Sequence, residues 1–407
     1  MAEKEHYFED FVYLPCFLLK TLGYDFITMP RVQWRGKLKN IYLVLSVISF
    51  LSYTYFVYDL LVDEILNKTH NLPLILQLLA EVICITAAIL KSYIFFRNIA
   101  ITRKLYKRFW DIFPTSIEDR FEYRVNDYYW PKWIRLAIHI QFVAVALVIF
   151  LPLIESLVEY IWALTKFGYS NAVFPYYRIF EQKTYGIDHH HPLGYVIVYI
   201  MDIMITHVTA VFSVYPEIWL ICFALQICMH FDVMSRRLNS YEPTVETTQQ
   251  DLKFIAEWSK QHQIVLGLAD DVKKIFSLQT LVMLFSTMGI IFAVAEFVLT
   301  QDMERKNFLG YLAYLPTIMV QYYMVCYYGQ QIINKSLEVA EAAYHQTWYN
   351  GCQSYKILIL TILRRSQRQC EINAAGVVTT NLRSFEWVMR MTYQLFAIWS
   401  TMMDSTN

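Results

Sequence analysis

Residues 136–162 read LAIHIQFVAVALVIFLPLIESLVEYIW, an apolar run whose only charged side chains, Glu155 and Glu159, stand near its far end. A helix of roughly 20 apolar residues covers the ~30 Å hydrocarbon core of a bilayer, so this stretch predicts a membrane span. Six further runs of the same kind lie around it: Leu38 to Leu61, Leu72 to Phe96, Leu193 to His230, Ile275 to Leu299, Phe308 to Tyr328 and Phe385 to Met403. The chain of 407 residues is 56% hydrophobic and 17% aromatic with zero formal net charge. Such a composition is too apolar for a soluble domain and offers no basic excess to suggest nucleic acid as a partner. The fold class expected is an all-α polytopic protein of the lipid bilayer with seven transmembrane helices.

Positive charge orients the spans. With Lys91 and Arg390 set aside, 27 of the 35 Lys and Arg residues fall in the N-terminal segment and the loops before spans three, five and seven, and 6 fall in the loops after spans one, three and five. Cationic loops stay cytoplasmic during insertion, which predicts a cytoplasmic N-terminus and an extracellular C-terminus. Met1 to Asp10 shows no cleavable signal pattern, so span one is expected to act as an uncleaved signal anchor. All seven cysteines fall in spans or cytoplasmic segments, and no external disulfide is expected. Asn67-Lys68-Thr69 is a glycosylation sequon in the first outside loop, whereas Asn334-Lys335-Ser336 falls on the cytoplasmic side and should be silent.

Most of the mass outside the membrane is cytoplasmic on this reading. Span four, Leu193 to His230, is too long for the hydrocarbon and should project inward. Ile333, Leu337, Ala340, Tyr344 and Trp348 follow the spacing of one helix face, which predicts packed cytoplasmic helices. Gly168, Pro175, Gly186 and many aromatics make the segment from Ala163 to Pro192 look like an ordered cap. There is no internal repeat of the transporter kind. Residues 1–407 read as a single membrane domain, with spans one to six at 38–328, a cytoplasmic helix and linker at 329–384, and the last helix at 385–403.

Span seven places Met391, Leu395, Ile398 and Met402 on one face, with Gln394 and Thr401 beside them as polar positions. Medium apolar side chains in a ring can close a pore by dewetting, although the same periodicity also suits packing against spans five and six. The stretch from span six to the chain end contains Tyr327-Tyr328-Gly329-Gln330, Ser336, Val339-Ala340, Ala343-Tyr344, Trp348-Tyr349 and Arg365-Ser366-Gln367 before the final apolar helix. In these motifs, and in length, span count and inverted topology over the whole chain, the protein resembles the insect odorant receptor family.

The resemblance implies a subunit of a ligand-gated, nonselective cation channel in the plasma membrane of a sensory neuron dendrite. Such channels are tetramers of tuning and coreceptor subunits. The final helices line the pore, so Met391, Gln394, Leu395, Ile398, Thr401 and Met402 become pore residues, with Ile398 and Met402 at the constriction. The coreceptor carries a long insertion before span five; here that loop is only Phe231 to Lys274, which points to an odorant-tuning subunit partnered by a coreceptor. The ligand implied is a small volatile in the outer half of the membrane between spans two, three, four and six. A volatile gains about 25 cal/mol per Å² of apolar surface removed from water, so a closed apolar and aromatic cavity suits it. The expected lining is Leu79 and Ile83 of span two, Phe150, Ile154 and Leu157 of span three, Tyr199 and Ile203 of span four, and Tyr311, Tyr314 and Ile318 of span six.

Ionisable groups inside the membrane need partners or water, and Glu81, Asp202, His207 and Glu296 are such groups. Lys91 is placed to snorkel to the inner interface. Asp188-His189-His190-His191 has metal-binding residue types, but adjacent histidines seldom converge on one ion, so no metal site is expected. No cluster of acid, base and nucleophile suggests catalysis, and no cofactor is implied. A G-protein-coupled receptor would need the opposite topology. A gustatory receptor channel of the same superfamily is the nearer alternative, though its final-helix signature would need Gln-Phe where Trp399-Ser400 stands.

Overall fold

The computed structural model describes residues 6–24, 26, 37–66, 72–167, 173–179, 187–300 and 308–406, with the backbone alone at 37–40, 72–73, 298–300, 308–313 and 402–406. Twelve α-helices follow in order: α1 (Phe8–Thr21), α2 (Lys37–Leu66), α3 (Leu72–Arg97), α4 (Ile99–Ile112), α5 (Ile117–Glu122), α6 (Val125–Tyr128), α7 (Lys132–Phe167), α8 (Pro192–Ser240), α9 (Thr248–Thr300), α10 (Phe308–His345), α11 (Gln353–Ser366) and α12 (Leu382–Thr406). The seven apolar runs become α2, α3, α7, α8, α9, α10 and α12. Among the described residues, five of these, all but α10 and α12, are long and apolar enough to cross a membrane by length and composition. The run of Gln and Tyr in α10 and the pair Glu386 and Arg390 in α12 lower the hydropathy of the other two.

Two helices are far longer than a bilayer requires. α8 has 49 residues and α9 has 53, or roughly 74 and 80 Å at 1.5 Å per residue. Both continue beyond the spans at the Lys- and Arg-rich end of the bundle, called the basic end below. The segment Phe231 to Lys274, expected as a loop, is therefore mostly helix, with only residues 241–247 between α8 and α9. Hydropathy alone misses this because one face is polar. Along the other face Ile255, Trp258, His262, Val265, Ala269 and Val272 recur at helical spacing and are all buried. The Asp251 carboxylate closes the connection, accepting hydrogen bonds from Tyr241 Oη at 2.7 Å, Thr247 Oγ1 at 3.1 Å and the Thr244 amide at 3.1 Å.

The core is continuous from α1 through α8 to α11. α8 is buried almost without interruption from Tyr215 to Ser235, since α1, α3, α9 and α10 pack around it there. α1 docks on the basic end, where the Trp130 indole donates to the Phe11 carbonyl at 3.1 Å. The helical stripe expected from Ile333 to Trp348 holds for buried Ile333 and Ala340 and ends sooner than periodicity suggested. Tyr344 is 66% exposed, and α10 stops at His345, leaving Trp348 in a short 3-10 turn.

Among the described residues, the one element outside the all-α reading is a short hairpin of two-residue strands, β1 (Asn373–Ala374) against β2 (Val378–Thr379). Ala375 and Gly376 both have positive φ, 50° and 77°, as a tight hairpin turn of the primed type requires. The hairpin docks on α9 through the Ala375 amide, which donates to Ser277 Oγ at 2.9 Å. Asn381 then caps α12: its Oδ1 accepts from the Ser384 amide at 2.9 Å, and Ser384 Oγ accepts from the Asn381 amide at 3.0 Å. All seven cysteines are free thiols.

Candidate functional site

The candidate lining residues fall into two groups. Ile83 and Ile318, with Ala80, Ile290, Ala293 and Val294, form an apolar cluster between α3, α9 and α10, against which Tyr314 and Cys84 pack. Leu79 sits half-buried one turn away on α3. The side chain of Tyr311 lies outside the described residues. α3 and α10 scarcely touch backbone to backbone among the described residues, and long side chains bridge them instead. The upper bridge is Tyr314 Oη to Cys84 Sγ at 3.2 Å.

Two turns further toward the basic end is a second bridge that the sequence reading did not anticipate. Lys91 does not snorkel; its Nζ lies 2.5 Å from Glu217 Oε1 of α8, and both residues are at most 5% exposed. Lys91 also donates to the Ser213 carbonyl at 3.4 Å. Gln321 Nε2 of α10 donates to that carbonyl at 3.1 Å and to Glu217 Oε2. Glu217 passes unnoticed in the sequence because it stands inside a 49-residue apolar helix and its partner Lys91 lies on another helix, 126 residues away. Satisfying a buried carboxylate needs both a counter-charge and donors, and this cluster supplies the two from different helices.

The second group surrounds the ends of α7 and α8 that lie away from the basic end. Tyr199 is buried and donates to the Ile149 carbonyl, and Ile203 is half-buried. Phe150, Ile154 and Leu157, expected to face a cavity, are instead 54%, 50% and 45% exposed, on the side of α7 turned away from the other helices. Their expected place followed from the pocket region of the family they resemble, which fixes a span and a depth but not the direction of a side chain. Residues 173–179 fold over this end. The Tyr177 amide donates to Ser156 Oγ at 3.0 Å, and Tyr195 Oη donates to the Tyr177 carbonyl at 2.7 Å. Phe174 meets Tyr160, Tyr176 and Tyr195 at ring separations of 5.6, 4.9 and 5.9 Å.

Asp202 has a charge partner from this segment: Arg178 Nη2 donates to both carboxylate oxygens, at 3.1 and 3.2 Å, and both residues are buried. The other intramembrane ionisable groups are also accommodated by neighbouring helices. Tyr53 of α2 donates to Glu81 at 2.9 Å, and Tyr42 of α2 lies 2.7 Å from His207 Nδ1. Glu296 is buried on α9. Around residues 188–191 the Asp188 carboxylate accepts from the His190 amide at 2.9 Å, and His189 and His190 sit ring against ring. No group of three metal-ligating side chains is found among the described residues.

α12 packs on α9 and α10 through Ser384, Val388 and Thr392, all buried. Its opposite face is open. Of the pore candidates, Leu395 and Ile398 are 45% and 60% exposed, Gln394 and Thr401 are exposed, and Met391 is half-buried. The side chain of Met402 and the whole of Asn67 lie outside the described residues. At the basic end Arg237 holds the Glu122 carboxylate with Nε at 2.5 Å and Nη2 at 2.6 Å, and this hydrogen bonding keeps Glu122 below the usual carboxylate range. Lys335 joins Asp232 of α8 at 2.9 Å to Glu338 at 2.7 Å.

Comparison with known proteins agrees with this architecture. Odorant receptor 49a of Drosophila melanogaster is 29% identical over 399 residues, covering 97% of this chain and 98% of that protein. Odorant receptor 85f of the same species is 28% identical over 399 residues, covering 98% of each. The solved structure of the insect olfactory receptor OR5 from Machilis hrabei superposes with a TM-score of 0.70 at 15% identity, over 96% of this chain and 99% of that one. The same receptor in complex with eugenol gives 0.71. The family model described as 7tm Odorant receptor matches residues 71–393, which include α3 to α11, the first half of α12 and both bridges between α3 and its neighbours. With the bundle, the long projecting helices and the C-terminal motifs all accounted for, the chain belongs to the 7tm odorant receptor family.

Proposed function

We propose that this multi-pass membrane protein is the odorant-tuning subunit of a ligand-gated, nonselective cation channel of the plasma membrane. Its N-terminus is cytoplasmic and its C-terminus extracellular, as the Lys and Arg distribution favours, so the basic end faces the cytoplasm. A small volatile binds in the outer half of the bundle, between α3, α8 and α10 and beneath the segment held by Arg178. The packing of Ile83, Tyr314 and Ile318 in one apolar cluster with α9 supports this position, and the OR5 complex shows that a receptor of this fold takes eugenol. Residues 38–328 serve the ligand, 329–384 anchor the subunit to its neighbours, and α12 lines the pore.

The observation that carries the channel reading is the open face of α12. A span with Gln394, Ile398 and Thr401 turned away from its own bundle has no use for its polar groups in lipid, but it suits a water-filled axis shared with other subunits. The other subunits in the proposed tetramer include the family coreceptor. The physical reading of the pore is a dewetting gate at Ile398 and Met402, with Gln394 and Thr401 available to hydrated ions.

Co-expression with an insect odorant coreceptor in oocytes tests the proposal. A fast cation current evoked by volatiles, dependent on both chains and insensitive to G-protein blockade, is the expected result. Silence to volatiles together with responses of this chain alone to soluble tastants would place it with gustatory channels instead. The same cells test Asn67: a glycosidase-sensitive mobility shift, lost in Asn67→Gln, is expected if that sequon is outside and used.

A further inference from the structure

α12 carries a charged pair that its own packing does not use. Arg390 Nη2 donates to Glu386 Oε1, one turn earlier in the chain, and the two side chains are 64% and 66% exposed. Ser384, Val388 and Thr392 make the buried side of the helix, away from the pair. At 100° per residue Glu386, Arg390, Thr401, Gln394 and Ile398 fall within about 120° of the helix circumference, so the pair shares the open face with residues proposed for the pore. With a rise of 1.5 Å per residue, it stands about 12 to 18 Å from Ile398 toward the basic end. Between Leu382 and Thr401 the charged residues are Arg383, Glu386 and Arg390, so Glu386 is the one acidic side chain of that stretch.

Charged groups on this face are unfavourable against lipid, and an exposed pair one turn apart adds little to stability. Against water their effect is on ions. Rings of charged side chains set the sign of the ions a pore admits, and guanidinium groups repeated around a shared axis repel cations. A carboxylate held against each guanidinium cancels most of that repulsion at a distance. We propose that Glu386 is a permeation residue: its carboxylate neutralises Arg390 on the water-facing side of α12 and keeps the inner half of the pore open to cations. The inference rests on the reading of α12 as the pore helix and adds to it the residue that decides the sign of the ion. Because the pair lies on the basic-end side of Ile398, it is reached from the cytoplasm whether that constriction is closed or open.

The signs of three variants follow. Glu386→Gln leaves Arg383 and Arg390 unopposed, so it should lower cation conductance and the preference for sodium over chloride. Arg390→Gln removes a positive charge and should raise both. The double variant removes one charge of each sign and should return close to the parent chain. Since the Debye length falls from about 30 Å at 0.01 M salt to about 3 Å at 1 M, all three effects should be large in dilute salt and nearly vanish in concentrated salt. A loss of helix packing would show no such dependence.

The experiment uses this chain co-expressed with the coreceptor and opened by a volatile that activates the parent chain, with single-channel currents recorded from inside-out patches. Conductance should fall about twofold in Glu386→Gln and rise in Arg390→Gln at about 0.02 M salt, with little difference at about 1 M. Conductances equal to that of the parent chain in both single variants would overturn the assignment while leaving the channel reading intact. A second measurement separates charge from shape. Glu386→Cys is treated from the cytoplasmic side with methanethiosulfonates carrying either a sulfonate or a trimethylammonium group, with the parent chain as the control for its seven native thiols. The sulfonate should restore conductance and the ammonium should lower it further. The same change with both reagents, or none with either, would place position 386 off the ion path and overturn the assignment. A parent pair of chains that carries no current would fail before any substitution is made, and would remove the channel reading itself.

Discussion

A single buried ion pair sets the tolerance of the transmembrane core at the residue scale. Lys91 and Glu217 are each sealed from solvent, so removing one leaves the other without its counter-charge, at a cost of about 3–5 kcal/mol. Lys91→Met should therefore lower the melting temperature in detergent and reduce surface expression sharply. The double variant Lys91→Met with Glu217→Gln removes both charges and keeps an amide for Gln321, and it should recover more than half of the loss. Losses that simply add would show that the two side chains do not act as a pair. A second residue-scale effect lies at the basic end, where His262 of α9 is buried against Trp258 and Phe231 ahead of the span that begins at Ile275. Burial, reinforced by the charge of Arg365, lowers its pKa to about 4, against about 6.5 in an unfolded chain. Between those values the unfolded chain binds a proton that the folded one refuses, so stability falls as pH drops from 6.5 toward 4. Thermal unfolding at pH 7.5 and pH 5.0 should show a loss of about 2 kcal/mol from this group, and His262→Phe should abolish that part of the difference. Of these residues, Lys91 is visible in the sequence as a charge inside an apolar run, whereas His262, within the polar stretch from Glu257 to Gln263, gives no sign of its burial; both roles depend on which helix lies opposite.

At the scale of elements, the C-terminal motifs acquire physical reasons. A Cβ added to Gly329 of α10 would stand 2.0 Å from the Thr380 carbonyl oxygen, so only glycine allows the segment leading into α12 to lie against α10 there. Ser336 Oγ, two turns along, accepts from the Cys370 amide at 3.0 Å while donating to the Ile333 carbonyl at 2.8 Å, tying the segment after α11 to α10. Tyr327 and Tyr328 hold Trp133 at the start of α7, one edge-on at 4.8 Å and one stacked at 6.0 Å. Gly329→Ala should destabilise this junction by about 1–3 kcal/mol, and Ser336→Ala by about 1–2 kcal/mol through the orphaned amide. Hydrogen exchange of residues 370–381 is the direct readout: both variants should speed it, and protection equal to the parent chain would refute the packing account. The motif residues were legible in the sequence as a signature, yet the hairpin they support was not. Four strand residues around an Ala-Gly turn are too few to show a period, and their register is fixed by Ser277 of α9, almost a hundred residues away. The extensions of α8 and α9 were half legible in the same sense: the apolar stripe from Ile255 to Val272 is present, but a reading tuned to membrane length stops at Ile275.

For the whole molecule, the long apolar runs determined the bundle because lipid admits few alternatives to the helix. Which runs adjoin was settled by side chains reaching across gaps, and so the lining set divided, with Tyr314, Ile83 and Ile318 gathered and Phe150, Ile154 and Leu157 turned outward. The size of a volatile ligand bounds the energetics of the proposed channel. A ligand opens it only through the difference in its affinity for open and closed states, and moving the balance from 1:99 to 99:1 takes about 5.5 kcal/mol of that difference. A volatile with about a dozen heavy atoms has a total binding free energy of a few kcal/mol to several more, most of it gained equally in both states. Because a molecule of that size cannot supply the full difference, the closed state must be only modestly preferred without ligand. Cells carrying both subunits should therefore show a small cation current before any odorant is applied, above that of cells with the coreceptor alone. Bulkier side chains at Ile398, as in Ile398→Phe, should reduce it by stabilising the closed ring, and Ile398→Ser should raise it by wetting the constriction. A resting current no larger than background in all three would mean that the closed state is held more firmly than the pocket can overcome, and the proposed coupling between pocket and α12 would have to be abandoned.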